Sequence, residues 1–121
     1  MPLQLTVERS GVKKEEADLL RGTLELLILR LLRSRQLNGW EIMQQLQVAS
    51  DDTLSVTPGA LYPALHRLEH RGLISASWRP SENNRKAKFY ALTATGRKQL
   101  ETQRKNWERF SGAVALVLRD A

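Results

Sequence analysis

The chain has 121 residues, 41% of them hydrophobic, and a formal net charge of +6, with a pI near 10.2. That length fits one domain, or one domain with an appended helix, around a modest core. The absence of cysteine excludes a disulfide framework, a thiol nucleophile and a Cys-ligated zinc site.

The densest apolar run, residues 24–32, is interrupted by Glu25 and Arg30 and is far too short to span a bilayer. No charged segment followed by an apolar run opens the chain, so no secretory leader is expected, and a cytoplasmic location is. A basic surface attracts polyanions, nucleic acid above all. Charge alone describes a protein that merely happens to be basic equally well, so the placement of the charges has to decide.

Residues 1–12 read as an N-terminal arm. Pro2, Ser10 and Gly11 break any periodicity, and too little apolar surface is present to pack. A compact domain is expected over residues 13–93. Its first helix, from about Lys14 to Arg35, carries Leu20, Leu24, Leu27, Ile28 and Leu31 on one face. Leu26, Leu29 and Leu32 cover much of the rest. A helix apolar nearly all round needs cover on two sides. One side is the chain's own core; the other is expected to meet a second copy, with Leu24 and Ile28 at that interface. The alternative is a poorly amphipathic core helix in a monomer.

In "LNGWEIMQQL" Asn38 caps a second helix, and Glu41 stands where a capping box needs it. Ile42 and Leu46 point inward. The helix ends near Ala49–Ser50. In "SVTPGALYPALHRLEHRGLI" Thr57 precedes Pro58 at the first helical position. Leu61, Leu65 and Leu68 form the buried stripe, and Gly72 ends the helix in the left-handed conformation. Pro63 removes a helix hydrogen bond, so an irregular first turn is expected.

The period then changes to that of strands in "LISASW" and "KFYALT", joined by a polar segment with the turn formers Pro80, Ser81, Asn83 and Asn84. Trp78 and residues 89–92 are expected to anchor this hairpin on the core. Thr93 caps a last helix over 94–118, within a C-terminal segment of 94–121. Leu100, Trp107 and Val114 recur at seven, as do Gln103, Phe110 and Val117. That is a short heptad seam, which with Leu24 and Ile28 completes the expected dimer interface.

The fold expected is mainly α with a small β-hairpin: a winged helix-turn-helix domain followed by a C-terminal dimerisation helix. In such a domain the third helix enters the major groove and the hairpin touches flanking backbone. The non-core face of that helix carries Thr57, Gly59, Tyr62, His66, Arg67 and His70. Tyr62 can bond phosphate or pack on a thymine methyl, and Arg67 is the type that reads guanine or clamps phosphate. The acid Glu69 must point away from DNA.

On the hairpin Arg79, Arg85, Lys86 and Lys88 set four positive charges against Glu82. Asn83 and Asn84 either form the turn or bond sugar and phosphate. Catalytic and metal readings are poorly served. His66 and His70 have a chelating spacing but no third ligand, and the pairs Glu15–Glu16 and Asp51–Asp52 suit capping and solvation. No cofactor and no metal is expected. A protein–protein adaptor with the same fold remains an alternative, and it predicts no salt-dependent DNA affinity.

The segments "LLRGTLELLILRLL", "NGWEIMQQL", "TPGALYPALHRLEHRGLI" and "RKAKFYALTATGRKQL" resemble, in that order, the successive motifs of the PadR-like transcriptional regulators. The resemblance spans about residues 19–118, with Trp40 where the family often has Tyr. It implies a bacterial regulator, usually a repressor, that binds a roughly palindromic operator in double-stranded DNA as a homodimer and is not an enzyme. DNA contacts would fall on Thr57, Gly59, Tyr62, His66, Arg67, Asn84, Arg85 and Lys86. Effectors known in the family are often aromatic or hydrophobic and lodge near the dimer interface, which here points to Trp107 and Phe110. Such a small-molecule sensor is the second reading of the chain.

Overall fold

The computed structural model describes residues 3–5 and 11–120, with side chains from residue 23 onward. In chain order the elements are β1 (Leu3–Leu5), α1 (Gly11–Ser34), β2 (Leu37–Asn38), α2 (Gly39–Ala49), β3 (Leu54–Val56), α3 (Pro58–His70), β4 (Ile74–Pro80), β5 (Lys86–Leu92) and α4 (Ala94–Asp120). The expected arm lies partly outside the described residues. Within it residues 3–5 form a strand paired in parallel with β3, Leu3 opposite Leu54.

The hairpin of β4 and β5 runs in register from Ile74↔Leu92 to Pro80↔Lys86. A short third strand, β2, adds to β5 with Leu37 opposite Tyr90, giving the order β2-β5-β4. The core sits between this sheet and α1, α2, α3 and the start of α4. It is built from Leu24, Ile28, Leu29 and Leu32 of α1, Ile42 and Leu46 of α2, Leu61, Ala64, Leu65 and Leu68 of α3, Ile74, Tyr90 and Leu100.

Local signals set the element ends. The Asn38 side chain accepts from the Glu41 N–H at 2.8 Å, and the Glu41 carboxylate accepts from the Asn38 N–H at 2.9 Å. That reciprocal pair satisfies two otherwise orphaned donors at the start of α2. At the end of α3, Gly72 has φ of +73°. Its N–H donates to the Glu69 carbonyl, and the Leu73 N–H to the Leu68 carbonyl, which is a Schellman closure.

The Thr57 hydroxyl makes no capping bond to α3; Pro58 pre-sets the first helical φ instead. Pro63 does not break α3, which runs unbroken from Pro58 to His70. It leaves the Gly59 carbonyl without its helical donor, but both residues are exposed, so water can replace the bond.

Thr93 ties the hairpin, α3 and α4 together. Its N–H donates to the Leu73 carbonyl, and its hydroxyl lies 2.7 Å from the Gly72 carbonyl oxygen and 3.0 Å from that of Leu73. The same hydroxyl oxygen accepts from the Gly96 N–H at 3.0 Å, capping α4.

Two expectations about burial are corrected. Leu24, Ile28 and Leu100 are filled in by the chain's own core, so they are not available to a partner: α1 closes over the sheet and α3 on one side and α4 on another. Leu26, Leu27 and Leu31 pack at its edge, half-buried. Trp78 shares the alternation of Ile74 and Ala76 but is exposed, because the hairpin runs on past the edge of the core. The anchors are Ile74, Phe89 and Tyr90.

Candidate nucleic-acid interface

The buried stripe of α3 (Leu61, Ala64, Leu65 and Leu68) leaves Gly59, Tyr62, Pro63, His66 and His70 on the exposed side. Gly59 is free of steric demand from the chain itself: a Cβ there would meet only the Thr57 hydroxyl, at 3.8 Å. Thr57, at the helix start, is half-buried. Tyr62 lies over the first residue of α2, where a Cβ at Gly39 would collide with its ring and hydroxyl. Glycine at 39 therefore lets α2 and α3 approach this closely, with the Tyr62 side chain half in solvent.

Arg67 is placed differently from the expectation. Its Nε lies 3.0 Å from the Glu25 carboxylate of α1, and Arg71 reaches the other oxygen of the same carboxylate at 3.2 Å. The half-buried Glu25 holds Arg67 through its Nε and Arg71 through a terminal nitrogen, which ties α3 to α1, while the Arg67 side chain stays half exposed. Glu69 turns toward the hairpin and pairs with Lys88 at 3.3 Å.

The hairpin cations divide in two. Arg79 sits 4.4 Å from the centroid of the Phe89 ring, and the Lys88 ammonium 5.7 Å from that of Tyr90. Both therefore serve the hairpin itself. Arg85 and Lys86 are exposed and have no ion-pair partner among the described residues. They close a tight turn on its β5 side, in which the Asn84 N–H donates to the Ser81 carbonyl and the Ser81 N–H to that of Arg85. Asn84 has φ of 59°, a left-handed conformation that asparagine tolerates, so its first task is the turn. Asn83 is exposed beside it.

A groove between the hairpin and the N-terminal ends of α2 and α3 went unread in the sequence. Trp40, Tyr62, Trp78, Phe89 and Tyr90 line it. Burial raises the Tyr90 phenol above its ordinary pKa, and Tyr62 and the Glu69 carboxylate add to the effect. No cluster of three or more potential metal ligands occurs among the described residues, and no described helix is long and apolar enough to cross a membrane.

Beyond Leu100, α4 leaves the core. Trp107, Phe110, Val114 and Val117 lie exposed along one face, with the Trp107 and Phe110 rings tilted at 42° and 6.4 Å apart.

A three-stranded sheet in the order β2-β5-β4, with α3 leading directly into the hairpin, defines a winged helix-turn-helix protein. Solved structures agree with that class. A PadR family regulator from Eggerthella lenta has a TM-score of 0.76 and 27% identity, covering 91% of this chain and 94% of its own. A PadR-like regulator from Bacillus cereus has a TM-score of 0.74 and 29% identity, covering 86% and 99%. The transcriptional regulator Rv3488 of Mycobacterium tuberculosis is 33% identical over 94 residues, 78% of this chain and 84% of that protein. Residues 28–102 match the transcriptional regulator PadR-like family. The chain belongs to that family, whose members are transcription regulators and not enzymes.

Proposed function

We propose that the chain acts in the bacterial cytoplasm as a homodimeric repressor on a roughly palindromic DNA operator. The observation that carries the DNA contact is the pairing state of the hairpin cations. Arg79 and Lys88 are engaged within the fold, while Arg85 and Lys86 stand unpaired at the tip, next to the exposed face of α3. Gly59, Tyr62 and His66 form the reading face, Gly59 because nothing inside the chain requires its missing side chain. Thr57 and Asn84 act at its margins, one at the helix start and one in the turn. Arg67 is held to Glu25 through its Nε and offers the remaining donors of its half-exposed guanidinium to a phosphate.

The dimer rests on α4. An exposed stripe of Trp107, Phe110, Val114 and Val117, with Leu116 and Leu118 exposed beside it, is stabilised by a second copy. A two-fold dimer presents its two α3 helices to successive major grooves, with half-sites about 34–36 Å apart. Trp107 and Phe110 fill this seam; as a ring pair they also keep open the second reading, an aromatic effector held at the same place.

Selection of bound sequences from random DNA, paired with sedimentation of the free protein, tests the proposal. Two-fold-related half-sites and a dimer are expected. A monomer that enriches no sequence would overturn it.

A further inference from the structure

Pro63 stands in the second turn of α3, and the helix continues past it to His70. A proline has no N–H, so the carbonyl four residues back, that of Gly59, lacks the donor a helix interior supplies. Pro58 is different: it holds the first helical position, where a missing N–H takes nothing from a helical carbonyl. A main-chain carbonyl is an obligatory acceptor and takes a bond from outside when none comes from within.

The Gly59 carbonyl faces outward. Along a helix a carbonyl points toward the residue four places on, and Gly59, Tyr62 and Pro63 are all exposed. No side chain among the described residues donates to it.

The missing side chain of residue 59 has no internal use either. A Cβ there would meet only the Thr57 hydroxyl, at 3.8 Å, and among the described glycines the left-handed φ belongs to Gly72. Alanine would be the better helix residue. A bare backbone and a free carbonyl at one position suit the approach of a flat group carrying an N–H.

The rest of the argument rests on the DNA-binding reading above, in which the N-terminal residues of α3 meet base edges in the major groove. There adenine and cytosine present an amino group, at N6 and N4; thymine and guanine present an oxygen, O4 or O6, which a carbonyl repels. The side chains of α3 leave this acceptor role open: the helix has no Asp, Asn or Gln, and Glu69 is held by Lys88.

We propose that the Gly59 carbonyl oxygen is a base-reading acceptor, which takes a hydrogen bond from the amino group of one adenine or cytosine in each half-site. Pro63 is its positioning residue, because it keeps the helix from using that carbonyl. Glycine at 59 keeps the path to it open.

Two variants test this in the full chain. Pro63→Ala restores the N–H and closes the helical bond onto the Gly59 carbonyl. Gly59→Ala leaves the carbonyl free and stands a Cβ beside it. Both positions are exposed and neither change alters charge, so each variant should keep the native circular dichroism and a Tm at or above the native one.

Random-sequence selection with each protein reads base preference position by position. At one position per half-site, replacing the amino-bearing base by guanine or thymine should weaken the native protein about fivefold and both variants hardly at all. Salt slopes should stay native, since the group is uncharged. Purine in place of adenine, or pyrimidin-2-one in place of cytosine, removes the amino group alone; its cost should likewise disappear in Pro63→Ala, and the cycle cancels any effect on base pairing.

Base preferences unchanged at every position in Pro63→Ala would overturn the proposal and leave the DNA-binding reading standing. So would relaxation at a thymine alone, since the Pro63 ring and not the carbonyl would then make the contact. A chain that selects no sequence would overturn both.

Discussion

Gly96→Ala sets two physical effects of opposite sign against each other. Alanine in place of glycine inside a helix is stabilising by roughly 0.5–1 kcal/mol on conformational grounds. At residue 96, however, the added Cβ would collide with the Leu73 carbonyl oxygen and lie 2.7 Å from the Leu92 Cδ1 and 3.0 Å from the Leu73 carbonyl carbon. Leu92 can change rotamer. The Leu73 backbone cannot retreat freely, because its N–H is spent on the Leu68 carbonyl and its own oxygen takes the Thr93 N–H.

Overpacking of this kind costs about 1–3 kcal/mol. Loss of one of those bonds adds about 1 kcal/mol, which leaves a net destabilisation of roughly 1–3.5 kcal/mol. For a chain of this size that corresponds to a fall in Tm of about 3–17 °C, read by circular dichroism on heating. Gly112→Ala is the control. Nothing lies within 4 Å of a Cβ there, so Tm should rise by a few degrees. A Gly96→Ala variant as stable as Gly112→Ala would refute the close packing of α4 on the end of α3.

Three other outcomes follow from the same structure. Arg85→Ala and Lys86→Ala should weaken operator binding and each lower the slope of log K against log salt by about 0.9; slopes equal to the native value would mean that neither side chain meets a phosphate. Val117→Glu or Phe110→Glu should shift the protein from dimer to monomer in sedimentation with little change in far-ultraviolet circular dichroism, since both side chains lie outside the core. The Tyr90 phenol is raised in the folded state, chiefly by burial, so the unfolded chain ionises first. Its contribution is fully present below pH 10 and is lost as pH rises through the unfolded and then the folded value. Tyr90→Phe should therefore flatten the alkaline fall in urea stability, and identical alkaline profiles would count against that burial.

The elements that can be read from single residues are those whose signals are local. Asn38 with Glu41, Gly72, and Thr93 each name an end of a helix through a bond spanning a few residues, and each makes that bond. The strands β1, β2 and β3 have two or three residues each, too few for a period to register, and they exist only through pairing with distant chain. Periodicity identified Leu24, Ile28 and Leu100 as apolar-face residues but could not say what covers them: α1 and α4 pack on each other and on the core, and these three residues are buried there. Arg67 was legible as an exposed arginine on α3, whereas its partner Glu25 lies 42 residues away. Trp78 obeys the alternation of its strand and still lies in solvent, because the pattern does not record where the core beneath it ends. The tryptophans of the groove were visible only as separate residues, one in a helix and one in a strand.

The bonds of Thr93 have a mechanical consequence. One residue joins the backbone just past α3, through the Gly72 and Leu73 carbonyls, to the first turn of α4, through the Gly96 N–H. The start of α4 is therefore pinned to the backbone just past α3, and no free linker separates it from the hairpin. In the proposed dimer, any change in the angle at which two α4 rods cross would swing each α3 through a matching arc. The spacing of the half-sites would then be set as much by the crossing of the rods as by the reading surface, and a molecule wedged into the seam would shift the register of recognition without touching DNA.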